Sequence, residues 1–76
     1  NDLGSYSSLY SEMKKNKLKN AANSKDVKTI NSKNNLIILP NGKKLIVNGL
    51  NNYIIAEKNN TLLIYPMEKD QEIGNL

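Results

Sequence analysis

Seventy-six residues, with 14 asparagines, 11 lysines, 7 acidic residues and no histidine, cysteine or arginine, carry a net charge of +4. That length holds one small domain with a modest core, and the missing residue types exclude a Ser-His-Asp triad, a Cys-His pair, haem ligation, disulfides and zinc fingers. With no apolar run near ~18–20 residues, no transmembrane helix is expected, so any chemistry must rest on carboxylates, lysines, hydroxyls and backbone.

The first element expected is a helix over about 5–17. Ser5 is placed to act as its N-cap. Tyr6, Leu9, Tyr10 and Met13 follow at i, i+3, i+4 and i+7 on one face. Lys14, Lys15 and Lys17 fall at its C-terminal end, where positive charge suits the helix dipole. Residues 18–26 are polar and read as a loop.

From Val27 the pattern becomes short apolar runs between turn signals. The runs are Leu36-Ile37-Ile38-Leu39, Leu45-Ile46-Val47, Tyr53-Ile54-Ile55-Ala56 and Leu62-Leu63-Ile64-Tyr65. Between them stand Pro40-Asn41-Gly42, Asn48-Gly49, Asn51-Asn52 and Asn59-Asn60. Val27, Leu36, Leu45, Ile54 and Leu63 lie nine residues apart, as do Ile37, Ile46, Ile55 and Ile64. A nine-residue strand-plus-turn unit fits a small β-solenoid or an antiparallel β-meander. The runs are apolar on consecutive residues, as in strands covered on both faces. One face is therefore expected to dock on another domain or a second copy. Residues 67–76 predict a short terminal helix, with Glu68 and Asp70 near its start and Gly74 as its stop.

Charge is uneven along the sequence. Residues 1–35 carry seven lysines and three acids, while residues 36–76 carry four of each. The excess sits mostly on Lys14, Lys15, Lys17, Lys19, Lys25 and Lys28. It reads as a solvated helix end and loop, or as a nucleic-acid or membrane patch. The four glycines are isolated, so no Gly-rich phosphate loop is present. Gly42 and Gly49 read as turn residues. Asn41, Asn51, Asn52, Asn59 and Asn60 follow turn preference. Glu68, Asp70 and Glu72 read as a solvated acidic face, and Tyr53 and Tyr65 as packing residues. Asp2, just before a helix and followed closely by Gly4, is either a turn residue or a Mg²⁺ ligand beside a phosphate. Starting at Asn1 without methionine, the chain is expected to be a segment of a longer protein.

Asp2-Leu3-Gly4-Ser5-Tyr6, then Ser8-Leu9-Tyr10, resembles the Asp-Leu-Gly-Ser/Thr-Trp…Leu-Tyr motif of sugar-1-phosphate nucleotidyltransferases, and most closely of mannose-1-phosphate guanylyltransferases. Asn34-Asn35-Leu36-Ile37-Ile38, Lys44-Leu45-Ile46-Val47 and Gly49-Leu50-Asn51-Asn52-Tyr53-Ile54-Ile55-Ala56-Glu57 are similar to the family's later segments. Thr61-Leu62-Leu63-Ile64 and Asp70-Gln71-Glu72-Ile73 resemble its ending. Tyr6 stands where the family usually has Trp, and Asn51 and Asn52 where it has acids. The resemblance covers most of the sequence.

The resemblance implies a cytoplasmic, homodimeric enzyme that makes GDP-mannose and pyrophosphate from GTP and mannose 1-phosphate with Mg²⁺. It implies that Asp2 helps hold the metal and that the Gly4 turn brings backbone near substrate. Residues 1–25 would then be the tail of the catalytic domain and a linker. Residues 26–76 would form a C-terminal β domain, a short left-handed β-helix for packing and dimer contacts. The family's upstream catalytic domain lies outside these 76 residues, so they are expected to be inactive alone and to hold no catalytic residue. Neither a membrane nor nucleic acid is expected as a partner on this reading. The alternatives are a stand-alone basic β-module that binds protein or nucleic acid, and a purely structural oligomerisation unit.

Overall fold

The computed structural model describes residues 6–76. The elements are α1 (Tyr6–Glu12), β1 (Ala21–Ala22), β2 (Val27–Ile30), β3 (Leu36–Ile38), β4 (Leu45–Asn48), β5 (Tyr53–Lys58), β6 (Thr61–Pro66) and a terminal 3₁₀ segment (Met67–Asn75). The protein is thus mainly β with a short N-terminal helix. Among the described residues no helix is long and apolar enough to cross a membrane.

From β1 to β5, strands that follow one another in sequence fall alternately in two sheets, and β6 stays in the sheet of β5. One sheet has the order β1-β3-β5-β6 and the other pairs β2 with β4. The pairs β1–β3, β3–β5 and β2–β4 are parallel. Leu36 lies opposite Ile54 and Val27 opposite Leu45, so the ladder advances by two nine-residue units at each step. The first step is shorter, with Ala21 opposite Leu36. Among the described residues the antiparallel arrangement, the meander alternative, occurs only between β5 and β6, where Ala56 lies opposite Leu63.

This layering explains the consecutive apolar residues of β3 and β5. Leu36, Ile54 and Ala56 point to one side, where they join Ala21 and Ile73 and are covered by Tyr6, Tyr10, Met13, Leu63, Tyr65 and Met67. Ile37, Leu39 and Ile55 point to the other side, against Val27, Leu45, Val47 and Leu50 of the two-stranded layer. The four-stranded sheet is therefore a middle layer, and the protein itself covers both faces of β3 and β5. The expected external partner is not needed for these strands. It is β6 that lacks cover, because the two-stranded layer has no third strand above it. Leu62 and Ile64 are 58% and 56% exposed there.

The turns repeat as the ladder does. Asn31 and Gly49 have φ of 48° and 75°, and Asn34 and Asn52 have φ of 62° and 66°. Each pair occupies equivalent places one ladder step apart. Asparagine tolerates this left-handed region better than most residues with a Cβ, and glycine is free to enter it. Asn59 and Asn60, both left-handed, form the two-residue turn of the β5–β6 hairpin.

Two helical expectations and one loop expectation change. The first helix ends at Glu12 rather than near 17. Beyond it, Asn16 Oδ1 accepts from Leu18 N and Asn20 N (3.1 and 2.9 Å). The backbone thus bends back on a side-chain acceptor instead of continuing helical bonds. On α1, Tyr6 and Tyr10 pack inward as expected, whereas Leu9 is 40% exposed. The expected loop over 18–26 contains β1, held by Ala21 N to Asn35 O (2.9 Å) and Asn23 N to Ile37 O (3.1 Å). The terminal helix is 3₁₀ and runs past Gly74 to Asn75, with a non-helical break at Lys69 (φ −110°).

Candidate functional site

Asp2 and Gly4, the metal and substrate candidates, and Ser5, the expected N-cap, lie outside the described residues. What the structure does place is the helix that follows them. The amide of Ser7, in the first turn of α1, donates to Asp70 Oδ2 at 3.0 Å. Asp70 is only 6% exposed. It thus serves as an N-terminal cap supplied from 63 residues away. The acidic cluster is therefore not one solvated face. Glu68 and Glu72 are exposed, but Asp70 is buried. Its burial had no local signal, because its partner is a distant backbone N–H.

Glu72 has its own contact, accepting from Tyr65 Oη at 2.5 Å. That hydrogen bond, with lesser help from partial burial and the nearby negative charge, holds the Tyr65 hydroxyl above its ordinary pKa. Burial alone raises Tyr10, whose hydroxyl donates to Lys19 O at 2.6 Å.

The lysines divide. Lys14, Lys15 and Lys25 line one cleft of about 340 Å³, whereas Lys17, Lys19 and Lys28 do not. The cleft lies at the β1 and β2 edges, where the two layers begin. Its polar lining includes Asn16, Asn20, Ser24 and Thr29, and Ala22, Val27 and Ile37 supply apolar surface. Lys15 is already engaged. Its Nζ donates to Met13 O at 2.9 Å and lies 4.6 Å from the Tyr10 ring centroid. Lys14 and Lys25 make no ion pair among the described residues, so they are the cations available to a ligand.

Beside the cleft runs a buried polar ladder that sequence reasoning missed. Asn20 Oδ1 accepts from Asn35 N (3.1 Å) and Asn35 Nδ2 (2.9 Å). Asn20 Nδ2 donates to Ser32 O (2.8 Å). Asn35 Nδ2 also donates to Leu50 O (2.7 Å), and Asn35 Oδ1 accepts from Tyr53 N (2.9 Å). Ser32 Oγ accepts from Leu50 N at 3.0 Å. No buried side-chain polar atom among the described residues lacks a partner. The ladder is structural, since its hydrogen bonds are all internal.

Among the described residues no three carboxylates come together as a metal site. No family model matches the sequence, and no curated protein matches it.

Proposed function

We propose that these residues are the C-terminal part of a mannose-1-phosphate guanylyltransferase, folded as a short β-solenoid whose coil is two nine-residue strand-plus-turn units. The observation that carries the proposal is the agreement of motif order with register. Of the apolar segments that resemble the family, 36–38 and 53–58 pair with each other in parallel with an 18-residue advance (Leu36 to Ile54), 45–48 pairs in the same way with 27–30, and 61–64 closes the sheet antiparallel to 53–58. A short C-terminal β-helix, left-handed as the resemblance implies, needs that kind of ladder.

In the parent enzyme the sugar phosphate attacks the α-phosphorus of GTP and pyrophosphate leaves. Mg²⁺, when bound, neutralises the charge that develops. Asp2 is the ligand to it from this segment, and the remaining ligands belong to the catalytic domain. Gly4 lets backbone approach the substrate. The β domain packs on the catalytic domain and contributes to a homodimer. GTP as substrate implies a cytoplasmic enzyme.

The test is to express the complete encoded protein and assay it with GTP, mannose 1-phosphate and Mg²⁺. GDP-mannose and pyrophosphate are expected, and the 76 residues alone should make neither. Asp2→Asn should lower turnover roughly tenfold or more without unfolding the protein. Absence of GDP-mannose from the complete protein, or wild-type kinetics in Asp2→Asn, would sink the respective assignment.

The cleft between the layers favours a second reading, a stand-alone basic β-module. Lys14 and Lys25 would then grip a polyanion, either an acidic protein or single-stranded nucleic acid. Binding to a labelled RNA oligomer should weaken steeply with salt, and Lys14→Ala with Lys25→Ala should abolish it. No binding at low salt removes this reading.

A further inference from the structure

Two of the 14 asparagines precede glycine, Asn41 and Asn48. In both dipeptides the glycine has positive φ, 83° at Gly42 and 75° at Gly49. Space is open at both, since a Cβ added to either glycine would meet nothing within 4 Å. Hydrogen bonding separates them. The Gly49 amide donates to Ile30 O at 2.9 Å, and Asn48 is the end of β4, opposite Ile30 in the parallel ladder. The Gly42 amide donates to no acceptor among the described residues, and its turn is closed one residue later by Lys43 N to Pro40 O at 3.2 Å. Asn41, Gly42, Asn48 and Gly49 are all exposed, so the hydrogen bond and not exposure is the difference.

We propose that Asn41 is a site of spontaneous deamidation and that Asn48 is protected from it by the β2–β4 ladder. In the reaction, the Gly42 amide nitrogen loses its proton to solvent base and attacks Asn41 Cγ. The new bond between them closes a five-membered succinimide. The bond from Cγ to Nδ2 breaks, and Nδ2 takes up a proton and leaves as ammonia. Water then adds to either ring carbonyl, the bond from that carbon to the ring nitrogen breaks and the nitrogen regains a proton, which gives aspartate (attack at the side-chain carbonyl) or isoaspartate (attack at the main-chain carbonyl) at position 41. No oxidation state changes, and water is the only co-reactant. The nucleophile is the amide nitrogen, so a hydrogen bond that fixes the N–H retards its deprotonation and its swing toward Cγ. Gly49 has that bond and Gly42 does not. Glycine is the follower that permits the attack, because it has no side chain to obstruct it. The product places a negative charge two residues from Lys43, which already pairs with Glu57 at 3.4 Å. The isoaspartyl form also adds a methylene to the backbone of the turn.

The test incubates the complete protein, native and denatured in urea, at the same mildly alkaline pH. Incubation continues until half of Asn48 has converted in the denatured sample. Peptide mapping by mass spectrometry then reads both sites, and enzymatic methylation of isoaspartyl carboxylates reports the isomer. In the native sample, Asn41 should have converted substantially while Asn48 keeps its amide. In the denatured sample both should convert. Asn41→Gln should abolish the native-state conversion and leave the melting temperature unchanged. An intact Asn41 in the native sample would overturn the proposal, and so would equal conversion of Asn41 and Asn48 there.

Discussion

Asn35 has 0% exposure and uses both atoms of its amide group. Its side chain ties three successive turns together, reaching Asn20 on one side and Leu50 and Tyr53 on the other. Removing that side chain leaves the part-buried Tyr53 N–H without its acceptor and takes one of two donors from the Leu50 carbonyl, which keeps Lys33 N at 3.3 Å. Asn35→Ala should therefore cost about 2–5 kcal/mol, the desolvation of the orphaned N–H plus a cavity. Urea denaturation would read this as a large drop in midpoint, since a small domain has only about 5–15 kcal/mol in total. A midpoint within error of wild type would mean that water replaces the amide and that the ladder is not structural. Asn41→Ala, on an exposed turn, is the matching control and should change little. Tyr65 gives a second residue-scale expectation. Its hydroxyl is held above its usual pKa by the bond to Glu72, so the folded state retains that proton more tightly than the unfolded one. This contribution is fully present below the ordinary tyrosine pKa and is lost as pH rises through the higher folded value. Tyr65→Phe should flatten the decline of stability in that alkaline window, as read from melting curves at a series of pH values.

At the scale of elements, the β5–β6 hairpin decides where the ladder stops. The nine-residue spacing assigns Val27, Leu36, Leu45, Ile54 and Leu63 equivalent places. Equivalence holds only at every second unit: Val27 lies opposite Leu45 and faces the core between the layers, whereas Leu36 lies opposite Ile54 and faces the other side of the middle layer. Leu63 instead lies antiparallel to Ala56, in the four-stranded sheet. Spacing alone could not reveal this, because a strand that crosses to the other layer and one that folds back have the same apolar run. The difference lies in Asn59 and Asn60, with φ of 52° and 63°. Two consecutive left-handed residues make the tight turn whose twist suits a hairpin. Asn60→Val should cost about 1–2 kcal/mol, because a β-branched residue resists positive φ. Asn60→Gly should be neutral or slightly stabilising, as read by thermal melts. Equal behaviour of the two variants would show that the hairpin is held by strand pairing and not by its turn. The candidate site was legible to a similar degree. The basic stretch was plain in the sequence, but that Lys25 joins Lys14 and Lys15 at one cleft follows from where β1 and β2 begin. The buried asparagines were invisible because asparagine in a turn and asparagine in a ladder look alike until the register is known.

At the scale of the molecule, the two ends of the fold hold each other. The helix α1 has seven residues, too few to persist in water without tertiary contacts. Its inward residues Tyr6 and Tyr10 pack on the core cluster that contains Ile73 of the terminal segment, and Met67 adjoins the same cluster. Its first turn is tied to Asp70. The terminal segment gains as much, since its buried residues are Asp70 and Ile73. Both segments cover the face of β3 and β5 opposite the two-stranded layer, so losing either would expose Leu36, Ile54 and Ala56 together. Two substitutions separate the polar and apolar parts of this clasp. Asp70→Ala removes the cap on the Ser7 amide and should cost about 1–2 kcal/mol. Ile73→Ala leaves that bond but empties part of the shared core, and should cost about 2–4 kcal/mol. Native-state hydrogen exchange distinguishes local from global loss. The Met13 amide, bonded to Leu9 O at 3.1 Å, reports the end of α1, and amides of β5 report the middle layer. Asp70→Ala should speed exchange at Met13 far more than in β5, and Asp70→Asn, which keeps a carbonyl acceptor, should restore most of the protection. Ile73→Ala should speed exchange at both. If Asp70→Ala leaves Met13 as protected as before, packing alone docks the helix, and the buried carboxylate must be retained for something other than the stability of α1.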